Sequence, residues 1–280
     1  MSSSPLNTAG ERLRYRVGSR SKVGERVRVF LVMLVNLTCF AFLWELFARY
    51  SGVPPVFLPR FSSILQELSR MTAEGILLPN LWSSVRAFGI GLAIGLVVGL
   101  PLAYAVGVIR LLDRVLSPYL WGLFSTPRII LLPLIMLWAG ITDAARIVLI
   151  VVSVVPSLAV VVMEGVKTVD PSLLRAARVF GASKFQLLRH VVIPSTIPIV
   201  GTGIRMGMLR GLIALYVGEL FVTSHGIGAL MAYAAARFRT ARVFAVLLVF
   251  IAFSVAVLAT SRFVEARMSK WRAAPEPLVI

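Results

Sequence analysis

Ala87 to Ile109 is 23 residues without a single charged side chain, and Val29–Trp44, Ile147–Met163 and Val243–Ser261 add uncharged runs of 16, 17 and 19. A helix needs about 20 apolar residues to cross the roughly 30 Å hydrocarbon layer of a bilayer. In that layer every backbone polar group must be satisfied within the segment, so helices are the spanning structure such runs dictate. The sequence therefore predicts an all-α, polytopic membrane protein. Composition agrees: 58% of the 280 residues are hydrophobic and 15% charged, against about 25% charged in an ordinary soluble domain.

Six spans are expected. The first runs from Val29 to Ala48 with Glu45 near its far end, the second is Ala87–Ile109, the fourth Ile147–Met163 with Pro156 inside, and the sixth Val243–Ser261. The third, Val115–Thr142, and the fifth, Val191–Gly218, read as broken. The third holds Arg128 with Pro118, Pro127 and Pro133, and the fifth holds Arg205 and Arg210. Charged or interrupted spans are tolerated where they face protein or a water-filled cavity. The domain reading follows: a basic segment over 1–28, a first helix and external segment over 29–86, a transmembrane core over 87–264 containing a loop at 169–194, and a tail over 265–280. The N-terminal apolar run lacks an A-x-A-like cleavage site and precedes further spans, so it reads as a retained helix rather than a signal peptide.

The net charge of +17 does not point to nucleic acid, because the basic residues sit in short runs between apolar segments. Eighteen of the 29 lysines and arginines fall on the side of the termini and eight on the other. The positive-inside rule then puts both termini in the cytoplasm. Gly91, Gly95 and Gly99 recur every four residues in the second span, as do Gly203, Gly207 and Gly211 in the fifth. Such ladders let another helix approach closely. The favoured reading is packing within the chain, with a subunit interface as the alternative for the fifth span. Cys39 is the one cysteine and reads as a small core hydrophobe.

The link between the fourth and fifth spans reads as two short amphipathic helices joined at a glycine. Asp170 is the N-cap of the first and Pro171 its first residue. Leu173, Leu174, Ala177 and Phe180 recur at helical spacing, with Arg175 and Arg178 elsewhere. Gly181 supplies the left-handed C′ position. Ser183 with Gln186 forms a capping box for the second helix, along which Phe185 and Leu188 continue the apolar face. Pro194 marks re-entry into the membrane. From spacing alone this element either lies on lipid headgroups or docks a soluble partner.

Ala176-Ala177, Gly181 four residues on, and Ile193-Pro194 beyond resemble the EAA loop of binding-protein-dependent ABC transporter permeases. Pro127-Arg128 through Leu132-Pro133-Leu134 to Trp138-Ala-Gly140 is similar to that family's third-span segment. Val169-Asp-Pro-Ser-Leu-Leu, Gly203-Ile-Arg205 and Gly218-Glu219-Leu-Phe add to the likeness. Leu58-Pro59 ahead of an amphipathic Phe61–Leu68 resembles the nitrate, sulfonate, taurine and bicarbonate branch. The resemblance implies the type I importer permease fold in the inner membrane and a second permease copy, most simply a homodimer. It also implies an ATP-binding subunit that carries the ATP and an external solute-binding protein. It places the ATPase-docking loop at Asp170, Leu174, Arg175, Ala176, Ala177, Gly181, Ala182, Ser183, Phe185, Leu188 and Pro194. Arg175 stands where the family has the motif glutamate, so an acidic contact with the ATPase is absent or reversed. The branch suggests a small anionic solute.

The chain has no phosphate-cradling G-x-x-x-x-G-K-[ST] motif and no hydrolase or metalloprotease motif, so neither nucleotide binding nor catalysis is expected of it. His190 and His225 fall on opposite sides of the membrane. An embedded cation costs at least about 2.5–3.5 kcal/mol at mid-membrane and needs a partner or water. Arg128, Arg205, Arg210 and Glu219 are therefore candidates for the translocation path. The alternative for the arginines is bonding to backbone carbonyls or a carboxylate. Arg205 and Arg210 lie about 140° apart around a helix, and Arg205 is the one expected to face the path. Glu219 is expected to cap its helix or to pair with Arg237 or Arg239. The competing functional class is an ion-coupled secondary transporter, which calls for mid-span carboxylate pairs and an inverted repeat. A membrane-anchored enzyme calls for a catalytic cluster, which is not visible.

Overall fold

The computed structural model describes residues 22–268. Among these residues all regular structure is helical: α1 (Lys22–Tyr50), α2 (Phe61–Ala73), α3 (Leu77–Val108), α4 (Arg110–Ser125), a 3-10 turn (Arg128–Leu131), α5 (Leu132–Ala139), α6 (Asp143–Lys167), α7 (Pro171–Val179), α8 (Lys184–Phe221), α9 (Ile227–Ala236) and α10 (Thr240–Met268). Five helices are long and apolar enough to cross a membrane, and a sixth crossing results when the bent pair α4–α5 counts as one span. The expected all-α polytopic fold is the observed one.

The chain divides into two compact units after Ser62. In the first, none of the most apolar stretch of α1 is buried. The polar end of α1 is satisfied locally. Glu45 accepts hydrogen bonds from the backbone N–H and hydroxyl of Ser62, both at 3.0 Å, and from Arg49 at 2.8 Å.

The second unit is built around α6, 61% of whose apolar window is buried, against 28% for α3 and 33% for α8. The glycine ladders explain how α6 comes to be enclosed. A Cβ on Gly91, Gly95 or Gly99 would stand 2.6, 2.6 and 2.9 Å from Ile150, Val154 and Leu158 of α6. From α8, Gly203 abuts Val162 and Leu158, while Gly207 and Gly211 abut Val154. Both ladders thus grip one helix of the same chain, as the favoured sequence reading has it. Val154 and Leu158 are fully buried between them.

Of the two spans expected to be broken, the third is and the fifth is not. The third span bends by 99° between α4 and the 3-10 turn. Thr126 and Pro127 are extended there, since a residue before proline is pushed out of the helical region. Pro118 lies within α4 without ending it. The fifth span, in contrast, is one continuous helix of 38 residues. The second short helix expected in the link is only its first turn, joined on through a π-helical stretch at Leu188–Val192. Pro194, which lacks an N–H and crowds the preceding carbonyl, widens the helix there rather than ending it. The ten-residue α9, too short to cross, was not anticipated.

Candidate functional site

The loop at 169–194 is folded as its caps dictate. The Asp170 carboxylate accepts the Ser172 N–H at 2.7 Å, and that backbone hydrogen bond, with help from Arg175, holds its pKa below the ordinary aspartate value. Ser183 and Gln186 make the reciprocal capping box, with bonds of 3.3 and 2.8 Å. Between them Gly181 takes φ +78°, a left-handed conformation that costs an L side chain about 1–2 kcal/mol.

The apolar face divides differently from the sequence reading. Leu174 packs against the core of α6 and Leu188 joins it, with Ala177 half-buried beside them. Leu173 and Phe180 face outward, 50% and 91% exposed, as does Phe185 at 67%. With Leu174 and Ala177 fixing the centre of the buried stripe, Leu173 and Phe180 lie roughly 70° and 90° off it at about 100° per residue. Val179, 85% exposed, completes an apolar tip. Arg175, Ala176, Gly181 and Ser183 are exposed around it, while Ala182 and Pro194 are half-buried. Beneath the hairpin, a cavity of about 550 Å³ separates it from the ends of α3 and α6, with Lys167, Arg178 and Lys184 among its lining residues.

A second feature lies within the membrane-spanning body. A cavity of about 240 Å³ is lined by Pro127, Arg128, Ile129, Leu149, Ser153, Arg210, Ile213, Ala214 and Val217. Arg128 Nη2 donates to the Phe124 carbonyl at 3.0 Å and to Ser157 Oγ at 3.2 Å. The Arg128 and Arg210 guanidiniums lie 5.9 and 5.7 Å from the centre of the Phe124 ring. The cavity therefore takes Arg210 and leaves Arg205 out of its lining, the reverse of the expected assignment. The 140° between them still keeps the two apart. Which of the two turns inward depends on the rotation of α8, and that rotation is set by the glycine ladder seated on α6.

The fourth embedded candidate is not at this cavity. Glu219 is fully buried at the far end of α8, paired with Arg146 at 3.0 Å. Ser84 donates to Oε1 at 2.7 Å and the Gly228 N–H to Oε2 at 2.9 Å. Arg146, itself 1% exposed, also reaches Asp143, Ser83 and the His225 carbonyl. Asn80 accepts the Gly226 N–H and Ser84 the Ile227 N–H, both at 2.9 Å. These bonds pin the start of α9 to α3, α6 and α8. Pairing of Glu219 with Arg237 or Arg239 is replaced by pairing with Arg146, because α6 brings its first turn alongside. Arg237 instead stacks on Tyr233 at 3.5 Å. Sequence reading counted Arg146 as an ordinary external cation. The small polar residues Ser83, Ser84 and Asn80, just ahead of an apolar run, were the missed signal. Ser153, one of two serines in the apolar run of α6, gave no comparable signal.

The family described as "binding-protein-dependent transport system inner membrane component" matches residues 91–270, more than half of the chain. The taurine transport system permease protein TauC of Escherichia coli is 29% identical over 190 residues, 66% of this chain and 69% of that protein. A Bacillus subtilis protein named for aliphatic sulfonates transport is 25% identical over 253 residues, 90% and 92% of the two chains. A solved inward-facing structure of the MetNI methionine ABC transporter aligns with TM-score 0.61 at 19% identity, covering 70% of this chain and 98% of the other. An amino acid ABC transporter structure aligns with TM-score 0.56 at 18% identity. At those identities the structures speak for the fold.

Proposed function

This chain belongs to the family of binding-protein-dependent transport system inner membrane components, and from that premise we propose how its parts serve transport. It is the membrane-spanning permease subunit of an ATP-binding-cassette importer, and not an enzyme. As in that family, ATP is handled by a partner subunit and solute reaches the permease through a substrate-binding partner. The finer reading is ours. The hairpin of α7 and the first turn of α8 is the surface that docks the ATPase. A solute-binding protein engages the opposite face. Two copies of the chain pair in the cell's inner membrane with all four termini in the cytoplasm. The solute is a small anion, in keeping with the aliphatic sulfonates named in a relative.

One observation carries the docking assignment: both helices of the hairpin are capped at their N-termini, yet the hairpin presents Val179, Phe180 and Phe185 outward. A headgroup-lying hairpin has reason to turn its apolar residues to one membrane-facing side. Here the inner stripe is consumed by the core and the tip is left for a partner. Exposed aromatic residues beside arginines match the enrichment of both at interface centres. The Arg175 guanidinium, standing where the family has glutamate, asks for an acidic or carbonyl-rich spot on that ATPase.

Gly181→Val tests this reading. A Cβ at Gly181 meets nothing within 4 Å, so the change acts through the backbone alone, straining the left-handed turn. We expect normal membrane insertion with loss of ATPase co-purification and of ATP-dependent uptake. Retention of both at the level of the unaltered chain would overturn the docking role.

A further inference from the structure

We propose that Arg128, Arg210 and Ser153 form an oxyanion site inside the membrane, which takes the sulfonate group of a short organic sulfonate on its way across. The inference rests on the transport reading above and adds to it the place and chemistry of recognition. Four features of the cavity lead to it.

Two guanidiniums share one small space, and among the described residues none in its lining is acidic. Like charges held together away from bulk water repel strongly, so the arrangement is complete only with an anion between them. Arginine presents a planar fork of donors that matches the geometry of an oxyanion, which a lysine ammonium does not.

Ser153 supplies the third donor. Its side chain is 1% exposed, lines the cavity and has no hydrogen-bond partner. A serine in a helix ordinarily bonds back to the carbonyl four residues earlier, as Ser157 does to Ser153 at 2.9 Å. Ser153 has not taken that bond, leaving its hydroxyl for the cavity. The Arg128 Nε is likewise buried without a partner.

Size and lining limit the rest of the ligand. At about 240 Å³ the cavity falls below the roughly 300–1,000 Å³ of drug-sized sites. Leu149, Ile213, Ala214 and Val217 form an apolar wall beside the cationic end. An oxyanion headgroup on a short carbon body uses both, whereas a bare inorganic anion leaves the wall idle.

The test uses the full chain purified in complex with its ATPase, with radiolabelled ethanesulfonate as the probe. Binding is measured by equilibrium dialysis, and uptake in proteoliposomes supplied with the solute-binding protein. Arg210→Gln is expected to weaken ethanesulfonate binding about tenfold or more, the loss of a charge-assisted contact. Ser153→Ala, a near-isosteric change, should weaken it several-fold without altering the amount of folded complex. Arg210→Lys should fall between wild type and Arg210→Gln. Sulfate should compete weakly and choline not at all. Ethanesulfonate binding and uptake unchanged in both Arg210→Gln and Ser153→Ala, in a complex that imports solute on ATP, would overturn the site and leave the transport reading standing. Absence of ATP-driven uptake of any solute by the unaltered complex would count against that reading instead. The dialysis measurement would still decide the site.

Discussion

Glu219 and Arg146 show how much one pair can settle. Both are buried, and each is also hydrogen-bonded by groups from other helices. Removing one partner of such a pair strands a buried charge, at about 3–5 kcal/mol. Glu219→Ala is therefore expected to lower the thermal midpoint and the monodisperse yield of the detergent-purified protein. Arg146→Met combined with Glu219→Leu should recover part of the loss, since the uncompensated charge goes, though the Gly228 N–H remains unbonded. A double variant no better than Glu219→Ala would show that the charge pair is not what matters. Asp170 carries a pH dependence. Its pKa is depressed by the Ser172 N–H, so its cap is fully present above the ordinary aspartate value of 3.8 and is lost as pH falls through the lower folded value. Hydrogen exchange at Ser172–Leu174 should show the first turn of α7 protected at neutral pH and frayed in strong acid. Asp170→Asn, which caps without ionising, should remove the pH dependence.

Among elements, α3 and α8 owe their positions to what glycine leaves out. A Cβ at Gly95 would lie 2.6 and 2.8 Å from Val154 Cγ1 and Cβ, with no flexible chain end to move aside. Gly95→Val is thus expected to push α3 off α6 and to cost at least the roughly 1–3 kcal/mol typical of overpacking. Gly89 lies in the same helix and has nothing within 4 Å. Gly89→Ala should be neutral, or stabilising by the helix-propensity difference of about 1 kcal/mol. Comparing the thermal midpoints of the two variants checks the assignment: equal losses would mean that the ladder is not the contact surface. The same seating fixes the rotation of α8, and with it which arginine lines the cavity.

For the whole molecule, the ends of the helices alternate. Ser84 near the start of α3, Arg146 at the start of α6 and Glu219 near the end of α8 meet on one side. The hairpin joins the opposite ends of α6 and α8. Reporter fusions at Lys184 and after the last helix should read cytoplasmic, and fusions at Glu74 and Arg237 external. A cytoplasmic signal at Arg237 would break the six-crossing topology. The hairpin and the buried Glu219–Arg146 network lie at the two ends of one continuous α8.

The long apolar helices, the two caps of the hairpin and the glycine turn between them were legible in the sequence, because each depends on neighbours close in the chain. Apolar length sets whether a helix spans, Asp170-Pro171 and Ser183-x-x-Gln186 set where helices begin, and a glycine between them sets the reversal. The partner of Glu219 was not legible: Arg146 lies 73 positions away, and only the packing of α6 between α3 and α8 brings the two together. Nor was the continuity of the fifth span, since a proline can end a helix or merely widen one turn, and the surrounding helices decide which. The same holds for the outward turn of Phe180 and Phe185 and for the choice of Arg210 over Arg205. Periodicity defines a face to within a residue or so, whereas the rotation of that face toward core, cavity or partner follows from contacts between segments distant in the chain.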